Sequence, residues 1–129
     1  MNDILIVDDD AAYLRMMTGI LQSFGITSVA VTSGELALTE LAKQNFKLMM
    51  TDLNMPGGVN GFDLIIEAKW LAPNMPTILI TASKIGKFLG DVKDLGIGRV
   101  IAKPVYVDQI IHAIEEVTGG TIKGVRKNI

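Results

Sequence analysis

The sequence predicts a doubly wound α/β domain: a five-stranded parallel sheet in the order 2-1-3-4-5, with five helices packed on its two faces. Three observations predict it. Short runs rich in Ile, Val and Leu recur at residues 4–7, 28–31, 46–51, 77–81 and 99–102 without clean polar alternation, the pattern of strands covered on both faces. Stretches of helical periodicity separate them. The chain has 129 residues, enough for one domain with a sizeable core.

Each element has its own local reason. Ile4-Leu5-Ile6-Val7 is apolar throughout and makes the first strand. Residues 11–24 carry Leu14, Met17, Ile20, Leu21 and Phe24 on one helical face, with Asp10 as N-cap and Gly25 as the stop. After the second strand, Thr32-Ser33-Gly34-Glu35 reads as a capping box opening a helix to about Gln44. The third strand is followed by a helix over 61–71, closed by Pro73. The fourth leads into a weaker helix over 84–95, interrupted by Gly86 and Gly90. The fifth leads into a helix over 107–117, with Ile110, Ile111 and Ile114 apolar. Parallel strands joined by helices cross over right-handed. Of the two common sheet orders, five strands suit 2-1-3-4-5, with the ligand crevice between strands 1 and 3.

Composition narrows the function. Hydrophobic residues make up 49% and charged residues 20%, so the chain folds. A net charge of −2 gives no domain-wide footprint for nucleic acid. With no cysteine, disulfides, thiolate metal sites and cysteine nucleophiles are excluded. The single histidine, His112, cannot build a histidine-rich metal site and reads as a surface or edge-of-core residue. No segment approaches the about 18 apolar residues of a membrane span. The opening Asn2-Asp3 leaves no basic region for a signal peptide, so the expected location is the cytoplasm. Residues 1–118 are expected to form the domain. Residues 119–129, with Lys123, Arg126 and Lys127 and no acid, are expected to be a tail or linker stub.

The assumed strand order gathers polar residues that are scattered in sequence. Asp8-Asp9-Asp10 follows strand 1, Asp52 ends strand 3, Thr81 ends strand 4 and Lys103 follows strand 5. Two like charges about 4 Å apart repel by on the order of 4 kcal/mol at an effective dielectric near 20. That is large beside a total stability of roughly 5–15 kcal/mol, so the cluster calls for a cation. Carboxylates without His or Cys suit Mg²⁺. Asp9 and Asp52 are the expected ligands, with Asp8 direct or through water. A carboxylate beside the metal can attack a phosphoryl group, while the Lys103 ammonium and the Thr81 hydroxyl take up charge on the transferring oxygens. Taken singly, Asp10 could be a cap, Asp52 a turn residue, Thr81 a strand end and Lys103 a solvated charge. Their joint placement at strand C-terminal ends outweighs those readings.

At this point the sequence resembles the receiver domain of bacterial two-component response regulators, the CheY-like family. The resemblance covers residues 3 to about 117. It rests on Ile4-Leu5-Ile6-Val7-Asp8-Asp9-Asp10, Met50-Thr51-Asp52-Leu53-Asn54-Met55-Pro56, Ile80-Thr81-Ala82 and Lys103-Pro104. It implies a flavodoxin-like fold and a phospho-acceptor that assists its own phosphorylation and dephosphorylation without being an enzyme. Asp52 resembles the phospho-accepting aspartate, and Asp8 and Asp9 the acidic pair at the Mg²⁺ site. Asn54 resembles the residue whose backbone carbonyl reaches the metal, Thr81 the switch hydroxyl, and Lys103 the lysine that pairs with the phosphoryl group. The resemblance implies a cis Lys103–Pro104 bond. The implied partners are a sensor histidine kinase or phosphotransfer protein upstream, and an effector protein or output domain downstream. It also allows a homodimer through the helix 4, strand 5 and helix 5 face, and implies no direct nucleic-acid or membrane binding. No output domain follows in this sequence, so the expectation is a stand-alone regulator or a piece of a longer protein.

Two positions depart from the family pattern. Gly61 stands five residues after Pro56, where the family has its glycine four after, so the crevice rim carries one extra residue. Val100 stands three before Lys103, where an aromatic is common. Two rival readings share much of the pattern. A haloacid-dehalogenase-like phosphatase would use Asp8 as nucleophile and Asp10 as acid. It would also want Thr or Val at Ala12 and an acidic pair where Asp108 stands alone. A receiver-like interaction module that is never phosphorylated would not need Asp52, Thr81 and Lys103 together. A flavodoxin-like FMN binder shares the fold, but acids after strand 1 would repel its phosphate.

Overall fold

The computed structural model describes residues 2–84 and 86–122. Five parallel strands, β1 Ile4–Val7, β2 Ser28–Val31, β3 Leu48–Asp52, β4 Thr77–Thr81 and β5 Arg99–Ala102, pair in the order β2-β1-β3-β4-β5. The expected order is the observed one. The helices are α1 Ala11–Ser23, α2 Gly34–Lys43, α3 Gly61–Leu71, α4 Leu89–Asp94 and α5 Val107–Thr118.

Unbroken apolar strands exist because the sheet is covered twice. In β1, Ile4 and Ile6 face one core with α1 and α5, and Leu5 and Val7 face the other with α2 and α3. β3 and β4 divide likewise, Met50 and Ile78 to the first core, Met49 and Leu79 to the second. Side chains alternate across a strand, so a strand buried on both sides reads as a nearly continuous apolar run, with polar residues confined here to the ends of β3 and β4. Each fully buried side chain of this kind contributes roughly 1.5–3 kcal/mol. Every residue of β1, β3 and β4 is buried, whereas the edge strands β2 and β5 are only partly so.

Three elements differ from their sequence expectation. β3 begins at Leu48 rather than 46 and runs through Asp52, which pairs with Ile80. Asp52 is therefore the last residue of the ladder, at the strand end where it was expected. The cap of α2 is Ser33, whose Oγ accepts from Leu36 N at 3.1 Å. Glu35 does not turn back to complete a capping box. Its Oε1 accepts from Val59 N at 3.1 Å, in the loop before α3. The stretch over 84–95 is not one helix: a 3₁₀ turn, Gly86–Phe88, precedes a six-residue α4 that buries no residue. Two glycines, and a face on which Phe88, Val92 and Leu95 are only partly buried against the second core, give this segment little to hold a longer helix.

The α1 cap and stop, the cis bond and the histidine sit where they were placed. Asp10 caps α1, accepting from Ala12 N at 3.0 Å and Tyr13 N at 3.2 Å, and Gly25 follows the helix at φ 76°. Lys103–Pro104 is cis. His112 is exposed, with Nδ1 2.8 Å from the Asp108 carbonyl oxygen. Packing continues past α5: Ile122 is buried in the first core, and Lys47 Nζ donates to the Thr121 carbonyl at 3.1 Å. Lys123, Arg126 and Lys127 of the expected tail lie outside the described residues. Among the described residues no helix is long and apolar enough to cross a membrane.

Candidate functional site

The C-terminal ends of β1, β3, β4 and β5 bring Asp8, Asp9, Asp52, Thr81 and Lys103 to one edge of the sheet. One carboxylate oxygen each from Asp8, Asp9 and Asp52 lies within 4.8 Å of the others. Asp8 and Thr81 are 1% exposed and Asp52 7%, while Asp9 is exposed. Two of the three acids have therefore lost most of their water, and protein groups replace it.

Those groups are specific. Asp8 accepts from Asp10 N on Oδ1 at 2.9 Å and from Lys103 Nζ on Oδ2 at 2.9 Å. The same ammonium stands 3.6 Å from Asp52 Oδ2. Burial pushes the Asp52 carboxyl above its ordinary range. Lys103 opposes that shift, Asp8 adds to it, and the backbone amides of Asn54 and Leu53 oppose it. For Lys103, burial works to lower the value, but the hydrogen bond to Asp8 and the charges of Asp52 and Asp8 outweigh it and hold the ammonium above its usual range.

Asp52 is set rigidly from below. Gly61 N donates to the Leu53 carbonyl at 2.9 Å, and a Cβ at Gly61 would collide with the Asp52 carbonyl oxygen. Only glycine lets α3 begin so close to the strand end. In the loop before it, Gly57 takes φ 80° and Val59 N donates to Glu35 Oε1. At the mouth, Thr81 Oγ1 accepts from Ser83 N at 3.0 Å, and Asn54 Nδ2 donates to Ser83 Oγ at 2.7 Å. Sequence reasoning singles out no role for Tyr13, yet Lys103 Nζ lies 4.8 Å from the centroid of its ring. The only local signal for it is its place three residues past Asp10, on the first turn leaving the acidic run.

Three carboxylates against one ammonium leave a net charge of −2, and every donor is a hard oxygen. That set fits Mg²⁺. Both Asp8 oxygens already have protein partners, which leaves Asp9 and Asp52 freer for direct ligation. A phosphatase of the haloacid-dehalogenase kind is not favoured by this arrangement: Asp10 is committed to capping α1 and Asp8 to the Asp10 amide and Lys103. A cavity of about 610 Å³ opens elsewhere, lined by Phe46, Lys47, Pro73, Pro76 and Val117.

Residues 4–115 match the family described as the response regulator receiver domain. The chain is 30% identical over 117 residues to the chemotaxis protein CheY of Pseudomonas aeruginosa, covering 88% of this chain and 94% of that protein. It is 27% identical over 119 residues to the transcriptional regulatory protein ZraR of Escherichia coli K12, covering 92% of this chain but only 27% of ZraR. Among solved structures, a CheY-like response regulator receiver domain protein from Methanospirillum hungatei JF-1 superposes with a TM-score of 0.85 at 27% identity, over 92% of this chain and 94% of that one. Family match, strand order and acidic edge agree, and the chain belongs to the response regulator receiver domains, the CheY-like phospho-accepting modules of two-component signalling.

Proposed function

We propose that Asp52 is the carboxylate of this chain that accepts the phosphoryl group. The carrying observation is how the shared ammonium divides between the two buried acids. It bonds Asp8, which is held at both oxygens, at 2.9 Å, and stands 3.6 Å from Asp52, whose other neighbours are the Asn54 and Leu53 amides. An Asp52 oxygen forms a P–O bond as the P–N bond of a donor phosphohistidine breaks, and the departing imidazole nitrogen takes a proton from solvent. Burial makes that oxygen more basic, and Lys103 with the Asn54 and Leu53 amides favours its ionised form. Asp9, Asp52, the Asn54 backbone carbonyl and Asp8, directly or through water, would hold Mg²⁺, which supplies positive charge to the phosphoryl oxygens. Lys103 adds a second positive charge from the protein itself. Thr81 leaves its contact with Ser83 N and turns its hydroxyl to the phosphoryl group, and the resulting population shift is the signal. Water attack on phosphorus releases phosphate and restores the carboxylate.

On this reading the chain assists its own phosphorylation and dephosphorylation but has no separate substrate. The donor is a sensor histidine kinase or phosphotransfer protein in the cytoplasm, and residues 1–118 form the receiver. The recipient is an effector protein or an output domain. ZraR, named a transcriptional regulatory protein, supports the latter, since this chain matches only about a quarter of it. The face made by α4, β5 and α5 carries the contact, to an effector or to a second copy. Neither nucleic acid nor membrane is a direct ligand. Intact-mass measurement with a small acyl-phosphate donor tests the assignment. One phosphoryl addition is expected with Mg²⁺, none without it and none in Asp52→Asn. Undiminished labelling of Asp52→Asn would overturn it.

A further inference from the structure

Tyr13 stands on the first turn of α1, and its amide is tied to the Asp10 cap at 3.2 Å. Its ring packs beside the first core, and its face lies 4.8 Å from Lys103 Nζ. That is within the roughly 6 Å over which an aromatic face attracts a cation. Lys103 therefore has three partners on three sides: Asp8 at 2.9 Å, Asp52 at 3.6 Å and the Tyr13 ring. The Tyr13 hydroxyl is buried without a hydrogen-bond partner, so the ring rather than the hydroxyl makes the useful contact.

A lysine side chain is a flexible four-carbon stem with a point charge at its end. Two carboxylates attract that charge but do not limit where it swings between them. An aromatic face on the third side does.

We propose that Tyr13 is a positioning residue: its ring holds the Lys103 ammonium between Asp8 and Asp52, ready for the phosphoryl group. The inference rests on the role proposed above for Lys103. It predicts that any aromatic face at position 13 suffices and that an aliphatic side chain does not.

Two measurements test it on the full chain. The first needs no phosphate and no metal. Carbon–proton spectra of the free protein should show the Lys103 ε-methylene displaced upfield by the ring, in the parent and in Tyr13→Phe, and returned to the ordinary lysine position in Tyr13→Leu. The second is phosphorylation by a small acyl-phosphate donor at saturating Mg²⁺. Tyr13→Phe should match the parent, and Tyr13→Leu should be slower by about threefold to tenfold. Its Mg²⁺ affinity should stay within about twofold, because the substitution changes neither the carboxylates nor the charge of the cluster. Tyr13→Met, also unbranched at Cβ and apolar, serves if Tyr13→Leu does not fold, as judged by its amide spectrum.

An unshifted Lys103 signal in the parent, a Leu variant as fast as the parent, or a Phe variant as slow as Leu would each overturn the proposal. Lys103→Ala separates the layers. If it is phosphorylated at the parent's rate while the upfield shift stands, the contact is real but the reading of Lys103 beneath the proposal is wrong.

Discussion

Lys103 is one ammonium serving two acids, and the two bonds are unequal, 2.9 Å to Asp8 and 3.6 Å to Asp52. Removing it takes the cluster from a net −2 to −3 and frees Asp8 Oδ2. Both changes favour a cation. Lys103→Ala should therefore bind Mg²⁺ as tightly as the parent or more tightly, while its phosphorylation response falls. A Mg²⁺ titration showing tenfold weaker binding would sink this division of labour. The acids and the lysine were legible in the sequence because each ends or follows an apolar run, and strand ends of one parallel sheet meet at one edge. Tyr13 was not legible. Its partner is ninety residues away, and nothing local distinguishes it from any aromatic on a helix. Glu35 failed as a cap for a similar reason. The loop that claims it, at Val59, reaches α2 only in the folded chain.

Among the elements, the segment after β4 is the least secured. No residue of α4 is fully buried, Phe88, Val92 and Leu95 pack only partly against the second core, and Gly86 and Gly90 interrupt the segment. Such segments occupy the low-stability end of a structure and are the ones that move. A contact links this segment to the site: Phe88 meets Phe62 edge to face, 5.4 Å between centroids, one residue past the Gly61 that packs on Asp52. Val100, likewise half-buried against the second core, is held in the sheet opposite Leu79 and has few rotamers. A phosphate mimic bound at Asp52 should shift amide signals over 81–90 strongly and at Val100 weakly, and Thr81→Ala should shrink the response. Largest shifts at Val100, with none beyond Thr81, would show that the signal leaves by another route. The sequence marked this helix as weak but not where it breaks, since glycine alone does not say whether a turn stays α or tightens to 3₁₀.

At the scale of the whole molecule, the fold was readable because burial on both faces forces apolar strands, and short crossovers leave few sheet orders. The same burial sets a stability question that links fold to function. Asp52 is held above its ordinary value first by burial, against the pull of Lys103. The folded chain thus keeps that proton to higher pH than the unfolded chain does. Stability falls as pH rises from the ordinary carboxylate range through the folded-state value, and then levels. Lys103, raised, contributes stability that is fully present below the ordinary lysine range and is lost only as pH climbs through its raised value, so it adds no slope near neutrality. Asp52→Asn removes the Asp52 penalty. Without metal, the variant should melt above the parent at pH 7, and its advantage should shrink as pH falls through the raised folded-state value of Asp52 and be gone below the ordinary carboxylate value of about 4. Mg²⁺ at about a hundred times its dissociation constant should stabilise the parent by roughly 2.7 kcal/mol. The variant, short of a ligand, should gain less, and the order of the two should reverse. Thermal melts at two pH values, with and without Mg²⁺, decide the matter. A variant less stable than the parent in metal-free buffer at pH 7 would mean that Asp52 is at ease in its buried place, and that the cluster is not built to hold a cation.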